Sequence, residues 1–203
     1  MRADETCHSC GSAWNPSTDT GRAQDADARH AGRLAMEQLR FSDLPRPDME
    51  ARPKSWLSWS FLLEEDGKHF TELEMSSWRE AGRFSLGGAE HVLRRDGPLG
   101  GLLGGPYVLE SKGRILATAR KPSVFKRGFL VEHGGLELTL EPRGIGRREF
   151  VLGDDRWELG TITPVSSFTY RSVVDLPREL PQAVRVFVFW VVANLWRREA
   201  ESA

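Results

Sequence analysis

Cysteine is nearly missing from this chain: 203 residues carry two, Cys7 and Cys10. Two thiols three positions apart make no disulfide framework. A structural zinc site takes four ligands. No second CxxC and no HxxxH follows, so Cys7 and Cys10 are metal candidates with half a ligand set. A thioredoxin-type redox motif needs a strand before the pair and a helix after it, and neither pattern is present. Lysine is scarce too, five residues against 23 arginines. The formal net charge is only −1, so no overall field selects nucleic acid or a membrane, and nucleic acid is not expected as a partner. The opening MRADETCHSC has no apolar stretch of the kind that marks a secretory signal, and a cytoplasmic, reducing setting is the expectation.

Catalytic signatures are equally sparse. There is no GxSxG elbow and no HExxH. Gly97 to Pro106 is dense in glycine, but a phosphate-cradling P-loop needs Lys and then Ser or Thr after its last glycine, and Pro106 follows Gly105. Gly144-Ile145-Gly146 begins a dinucleotide fingerprint that Glu149 then breaks. His69, His91 and His133 fall in separate segments. No catalytic residue and no cofactor is expected.

What is present divides in two. Apolar residues make up 39% of the chain, low for a wholly folded protein, and the deficit lies in Met1 to Pro53. That segment is rich in Asp, Arg, Ala, Ser and Thr and reads as a disordered tail. Residues 31–39 (AGRLAMEQL) form a short helix candidate within it, and the tail is the natural place for a partner-binding segment of a scaffold protein. From Lys54 onward, short runs of alternating residues recur about every 8–12 positions between Gly and Asp turn signals, the pattern of an all-β barrel or sandwich. The runs are 56–63, 70–75, 83–86, 90–94, 107–111, 115–120, 125–132, 136–141, 148–152, 157–163 and 168–174.

The last segment, residues 181–198 (PQAVRVFVFWVVANLWRR), is the most apolar of all, with eight apolar residues unbroken from Val186 to Ala193. Its apolar positions run all the way round, as in a helix buried on every side. Pro181 suits a helix start, and Arg197 and Arg198 suit the negative end of a helix dipole. A membrane anchor and a long buried strand are the competing readings. Against the anchor, the stretch falls short of the ~20 apolar residues that span a bilayer and contains Arg185 and Asn194.

The order of these pieces, a run of hairpins ending in one hydrophobic helix, resembles the tubby C-terminal-like superfamily, which includes the LURP-one-related and phospholipid-scramblase proteins. The resemblance rests on residues 113–122 (GRILATARKP), 148–163 (REFVLGDDRWELGTIT) and 172–196 (SVVDLPRELPQAVRVFVFWVVANLW). It implies a closed antiparallel barrel of about twelve strands around a buried C-terminal helix over residues 54–203, and a non-enzymatic role at anionic lipid headgroups. Neither the cationic headgroup motif of tubby nor the calcium loop of scramblases is matched residue by residue.

One local charge bias fits such a role. Between Lys112 and Arg148 nine basic residues face three acidic ones. Arg120, Lys121, Lys126, Arg127, Arg147 and Arg148 fall at strand ends or in loops and make the candidate anion site. Arginine suits bidentate phosphate recognition. The expected partner is an anionic membrane surface or a small anion, with the protein peripheral to the membrane. Trp56, Trp59, Trp78 and Trp157 are candidates for an interfacial belt or for core packing.

Overall fold

The computed structural model describes residues 49–55, 59–76, 79–97, 105–122, 128–144, 148–166 and 169–202. Twelve strands follow one another in chain order: β1 (Met49–Pro53), β2 (Phe61–Glu65), β3 (Lys68–Met75), β4 (Ala81–Leu86), β5 (Ala89–Arg95), β6 (Tyr107–Ser111), β7 (Arg114–Arg120), β8 (Phe129–His133), β9 (Leu136–Pro142), β10 (Phe150–Gly153), β11 (Glu158–Ser166) and β12 (Thr169–Asp175). Each pairs antiparallel with its neighbours in sequence, and β12 returns to β1, so the sheet closes into a barrel with no free edge. A single described helix, α1 (Gln182–Glu201), comes last.

Four of the hairpins turn on two residues that both have positive φ: Asp66-Gly67, Gly87-Gly88, Lys112-Gly113 and Gly134-Gly135. This is the type I′ turn, whose twist matches that of the strands it joins. Glycine accepts such a φ freely, and Asp66 and Lys112 adopt it at the first of the two positions.

Helix α1 lies along the barrel axis. Ala183 to Asn194 are buried without interruption, and Val186 to Asn194 are fully enclosed. Inward residues of widely separated strands meet it. Phe61 of β2 packs edge-on to Phe189 (5.0 Å between centroids), Tyr107 of β6 to Trp190 (5.2 Å), and Phe150 of β10 lies 6.5 Å from Trp196. Along most strands the inward set alternates, as in Thr71, Leu73 and Met75 of β3 or Leu138 and Leu140 of β9. The helix reading of the last segment is therefore correct, and the anchor and strand readings are not. No described helix is long and apolar enough to cross a membrane.

The tail reaches less far than the sequence suggested. Met49 to Pro53 is a strand of the barrel wall, pairing Met49 with Val174 of β12 and with Glu65 of β2. It is only five residues long and ends in proline, and its inward residues, Met49 and Ala51, are the whole of its apolar content. Such a strand has almost no pattern of its own. The helix candidate at 31–39 lies outside the described residues, as do Cys7 and Cys10. Beyond that, β2 starts at Phe61 and runs through Glu64 and Glu65, two residues read as turn, and Trp157 belongs to the turn before β11.

Two seams in the wall differ from the rest. Strands β3 and β4 pair only through Glu74–Arg83 and Met75–Gly82. Beyond Arg83 they part, and the Thr71 hydroxyl bridges the gap by donating to the Ser85 carbonyl (2.7 Å). A shallow depression of about 440 Å³ lies there. At the closing seam, Arg171 of β12 binds Glu50 of β1, and Arg52 also donates to Glu50 (3.0 Å).

Two predictions follow the wall. A Cβ at Gly82 would lie 2.8 Å from the Glu74 carbonyl oxygen and 3.0 Å from Trp190 Nε1. Gly82→Ala should therefore lower unfolding stability by about 1–3 kcal/mol in denaturant titration; an unchanged midpoint would refute the close packing of α1 against β4. Bonding from Arg171, then from Arg52, holds the Glu50 carboxyl below its ordinary 4.5. A depressed carboxyl stabilises the fold above its unfolded value, and that contribution is lost as pH falls through the folded one. Glu50→Gln should cost no more than about 1 kcal/mol near neutrality, and its stability curve should merge with that of the natural protein as pH drops below about 4.5.

Candidate functional site

A closed meander sorts its connections by parity, and here the two rims differ. One carries the two-residue turns, the 154–157 turn and the entry of α1. The other carries the connections 54–60, 76–80, 96–106, 121–128, 143–149 and 167–168, most of them longer, and the end of α1. Of the expected anion site, Arg120, Lys121 and Arg148 belong to strand ends or connections of this second rim.

Their surroundings are unequal. Arg120 ends β7, and its guanidinium reaches out along the wall to Glu132 (3.3 Å) and Glu137 (3.0 Å). Lys121 is exposed, with its ammonium 5.7 Å from the centre of the Phe129 ring. Arg148 stacks over Tyr170 (4.9 Å) and Trp196 (5.5 Å), while its carbonyl accepts the Trp196 indole N–H at 2.9 Å. Cation–ring contacts of this kind are worth about 0.5–1 kcal/mol at exposed sites. Lys126, Arg127 and Arg147 lie outside the described residues. Strand pairing thus brings Lys121 and Arg148 to one end of the barrel and gives Arg120 two carboxylates on its outer wall.

The end of α1 adds cations that the sequence reading had assigned only to a helix terminus. Arg197 is 5% exposed. It donates to the carbonyls of Ser76 (2.6 Å) and Arg79 (3.5 Å) and to Asn194 Oδ1 (3.1 Å), so it ties the β3–β4 connection to the helix. Arg198 binds Glu80 of the same connection, and Arg95 from the end of β5 binds the other Glu80 oxygen at 2.9 Å. Arg95 also lies 5.5 Å from the centre of the Tyr107 ring. Arg95, Arg148, Arg197 and Arg198 therefore meet at the last turns of the helix, with Glu80 shared by two of them and Glu201 3.8 Å from Arg197. No linear motif marks this set; the residues come from the ends of two strands and a helix and meet only through barrel closure.

Tyr107 lies at the base of the cluster. Its side chain is 1% exposed, and its hydroxyl has no hydrogen-bond partner among the described residues. Burial first, then the nearby Glu80 charge, pushes the phenol up to about 12, against the opposing pull of Arg198 and Arg95.

The opposite end of the helix is closed by one ion pair. Arg185, 6% exposed, donates to Glu65 at 2.5 and 3.4 Å, and Gln182 adds a bond to the same carboxylate at 2.7 Å. The remaining candidates are held elsewhere. His91 stacks on Phe84 (4.7 Å) and bonds the Ala89 carbonyl, and His133 bonds the Leu116 carbonyl at 2.7 Å. Among the described residues no group of three or more His, Cys, Asp or Glu is placed to hold a metal. Trp59 packs on Tyr170 at 4.3 Å, Trp157 is 72% exposed at the opposite rim, and Trp56 and Trp78 lie outside the described residues.

Comparison of the chain with protein-family models, with curated proteins and with solved structures finds no match.

The phenol gives a prediction with a definite sign. A proton held more tightly in the folded state stabilises the fold fully below the unfolded value of 10.0, and that contribution is lost as pH rises toward about 12. In an alkaline titration followed by phenolate absorbance, Tyr107→Phe should remove a transition near pH 12. Loss of a transition near 10 instead would show that Tyr107 is solvated.

Proposed function

We propose that this chain is a non-enzymatic, tubby-like barrel that binds an anionic ligand, a lipid headgroup or a small free anion, at the rim where α1 ends. The observation that carries the reading is the gathering of Arg95, Arg148, Arg197 and Arg198 at that helix end. Two further facts support it. The connections that hold Lys126, Arg127 and Arg147 join strand ends on the same rim. The guanidinium groups favour planar, bidentate recognition of oxyanions, and arginine dominates the cluster. The tubby-like assignment rests on the pattern of twelve antiparallel strands closed around one C-terminal helix. In this reading the protein is peripheral to an anionic membrane and touches it through the rim of longer connections, without inserting α1.

Sedimentation with vesicles tests the reading. Full-length protein should pellet with phosphatidylcholine vesicles containing phosphatidylserine and stay in the supernatant with phosphatidylcholine alone. Reversing Lys121, Lys126 and Arg127 to Glu should weaken the association by about a hundredfold or more, given roughly 1 kcal/mol per cation near an anionic surface. Titration with inorganic phosphate separates a soluble anion from a headgroup. An unchanged partition in the reversed variant, together with no response to phosphate, would sink the proposal.

A further inference from the structure

Resting on that reading, we infer that Glu80 occupies the anion subsite in the free protein, and that a phosphate-bearing ligand binds by displacing its carboxylate from Arg95 and Arg198. Glu80 sits in the 76–80 connection, between strands, and reaches across the rim to two cations of different origin. Arg95 comes from the end of β5 and takes one carboxylate oxygen at 2.9 Å; Arg198 comes from the last turns of α1 and takes the other. Two guanidinium forks converging on one carboxylate form a receptor for an oxyanion. The protein fills it with its own side chain.

Three observations separate this arrangement from an ordinary surface ion pair. First, the Tyr107 hydroxyl is buried against the cluster and unsatisfied among the described residues. A buried polar group left without a partner is unfavourable and readily takes an acceptor offered to it. Both Glu80 oxygens are already engaged by guanidinium groups, whereas a phosphate brings further acceptor oxygens that the phenol can serve. Second, the group remains reachable: the Glu80 side chain is 18% exposed, Arg95 21% and Arg198 35%. Third, the backbone on either side of Glu80, at Arg79 and Ala81, is held independently of the Glu80 side chain. Arg197 donates to the carbonyls of Ser76 and Arg79, and the Ala81 N–H donates to the Arg79 carbonyl at 2.8 Å. Glu80 can therefore swing out by rotating its own side chain while the wall and the helix stay in place. Outward rotation exposes a pocket floor of two arginines and one phenol, which suits a phosphomonoester.

The test uses the full chain and two ligand sources, inorganic phosphate by calorimetric titration and phosphatidic acid in phosphatidylcholine vesicles by sedimentation. Glu80→Gln removes the competing charge and should tighten phosphate binding about threefold to tenfold, the range expected for losing a partly exposed ion pair. Tyr107→Phe added to Glu80→Gln should lose part of that gain. A gain for vesicles and phosphate alike supports the oxyanion as the recognised group; a gain for vesicles alone supports the inference with a headgroup as ligand. If the natural protein binds and Glu80→Gln binds no tighter, the carboxylate is a structural ion pair and the inference falls, while the anion-binding rim stands. If neither protein responds to either ligand, the rim reading fails and takes this inference with it. Thermal unfolding verifies that Glu80→Gln is folded; should it not be, Glu80→Asp, one methylene shorter, carries the same comparison with a smaller expected gain.

Discussion

A closed barrel of twelve strands has a lumen that its own side chains do not fill. Left empty, that volume would cost stability at about 24 cal/mol for every Å³. The last segment resolves the problem. A helix is about 10–12 Å across with its side chains, and α1 meets the wall through Phe189, Trp190 and Trp196 on several sides at once. The demand explains why the segment is apolar all round, and why a bare Gly82 stands where Trp190 presses against β4. It also explains the placement of charge. Polar groups on this helix occur where it reaches a rim, Arg185 with Glu65 at the entry and Arg197 and Arg198 at the exit, with Asn194 bonded to Trp190 and Arg197 between them.

The two rims have diverged in what they hold. Where the turns have two residues, their conformation is fixed by the strands they join and little chain is left over for recognition. Where the connections are longer, the barrel has spare chain, and the end of a charged helix lies at their centre. Loops held on a rigid scaffold are where binding residues usually collect. The cationic cluster follows that rule, and Glu80 shows that even there the protein satisfies most of its charges internally.

Much of the architecture was legible because its signals are local. Four Gly-containing turns at two-residue spacing announce hairpins, and an unbroken run from Val186 to Ala193 announces a buried element. Strand β1 was not legible: Met49 and Ala51 are too few to show a period, and the strand exists because β2 and β12 hold it on both sides. The site was legible only in part. A surplus of cations between Lys112 and Arg148 was visible in the sequence, but Arg120 is spent on Glu132 and Glu137, partners one and two strands away. Arg95, Arg198, Glu80 and Tyr107 share no local pattern, because what unites them is the curvature of a closed sheet around the helix end.

The order of elements along the chain sets the order of assembly. Eleven of the twelve strand pairings join neighbours in sequence, and one, β1 with β12, joins the two ends of the sheet. The helix that fills the lumen follows all of them. A finished barrel leaves no opening through which a helix of twenty residues could be drawn, and chains avoid threading. The barrel must therefore close around the helix, which has to lie against the apolar face of the sheet before the last pairing seals it. During synthesis the strands leave the ribosome before the helix does, so the half-made chain carries an apolar face with nothing yet to cover it, the state in which chains stick to one another.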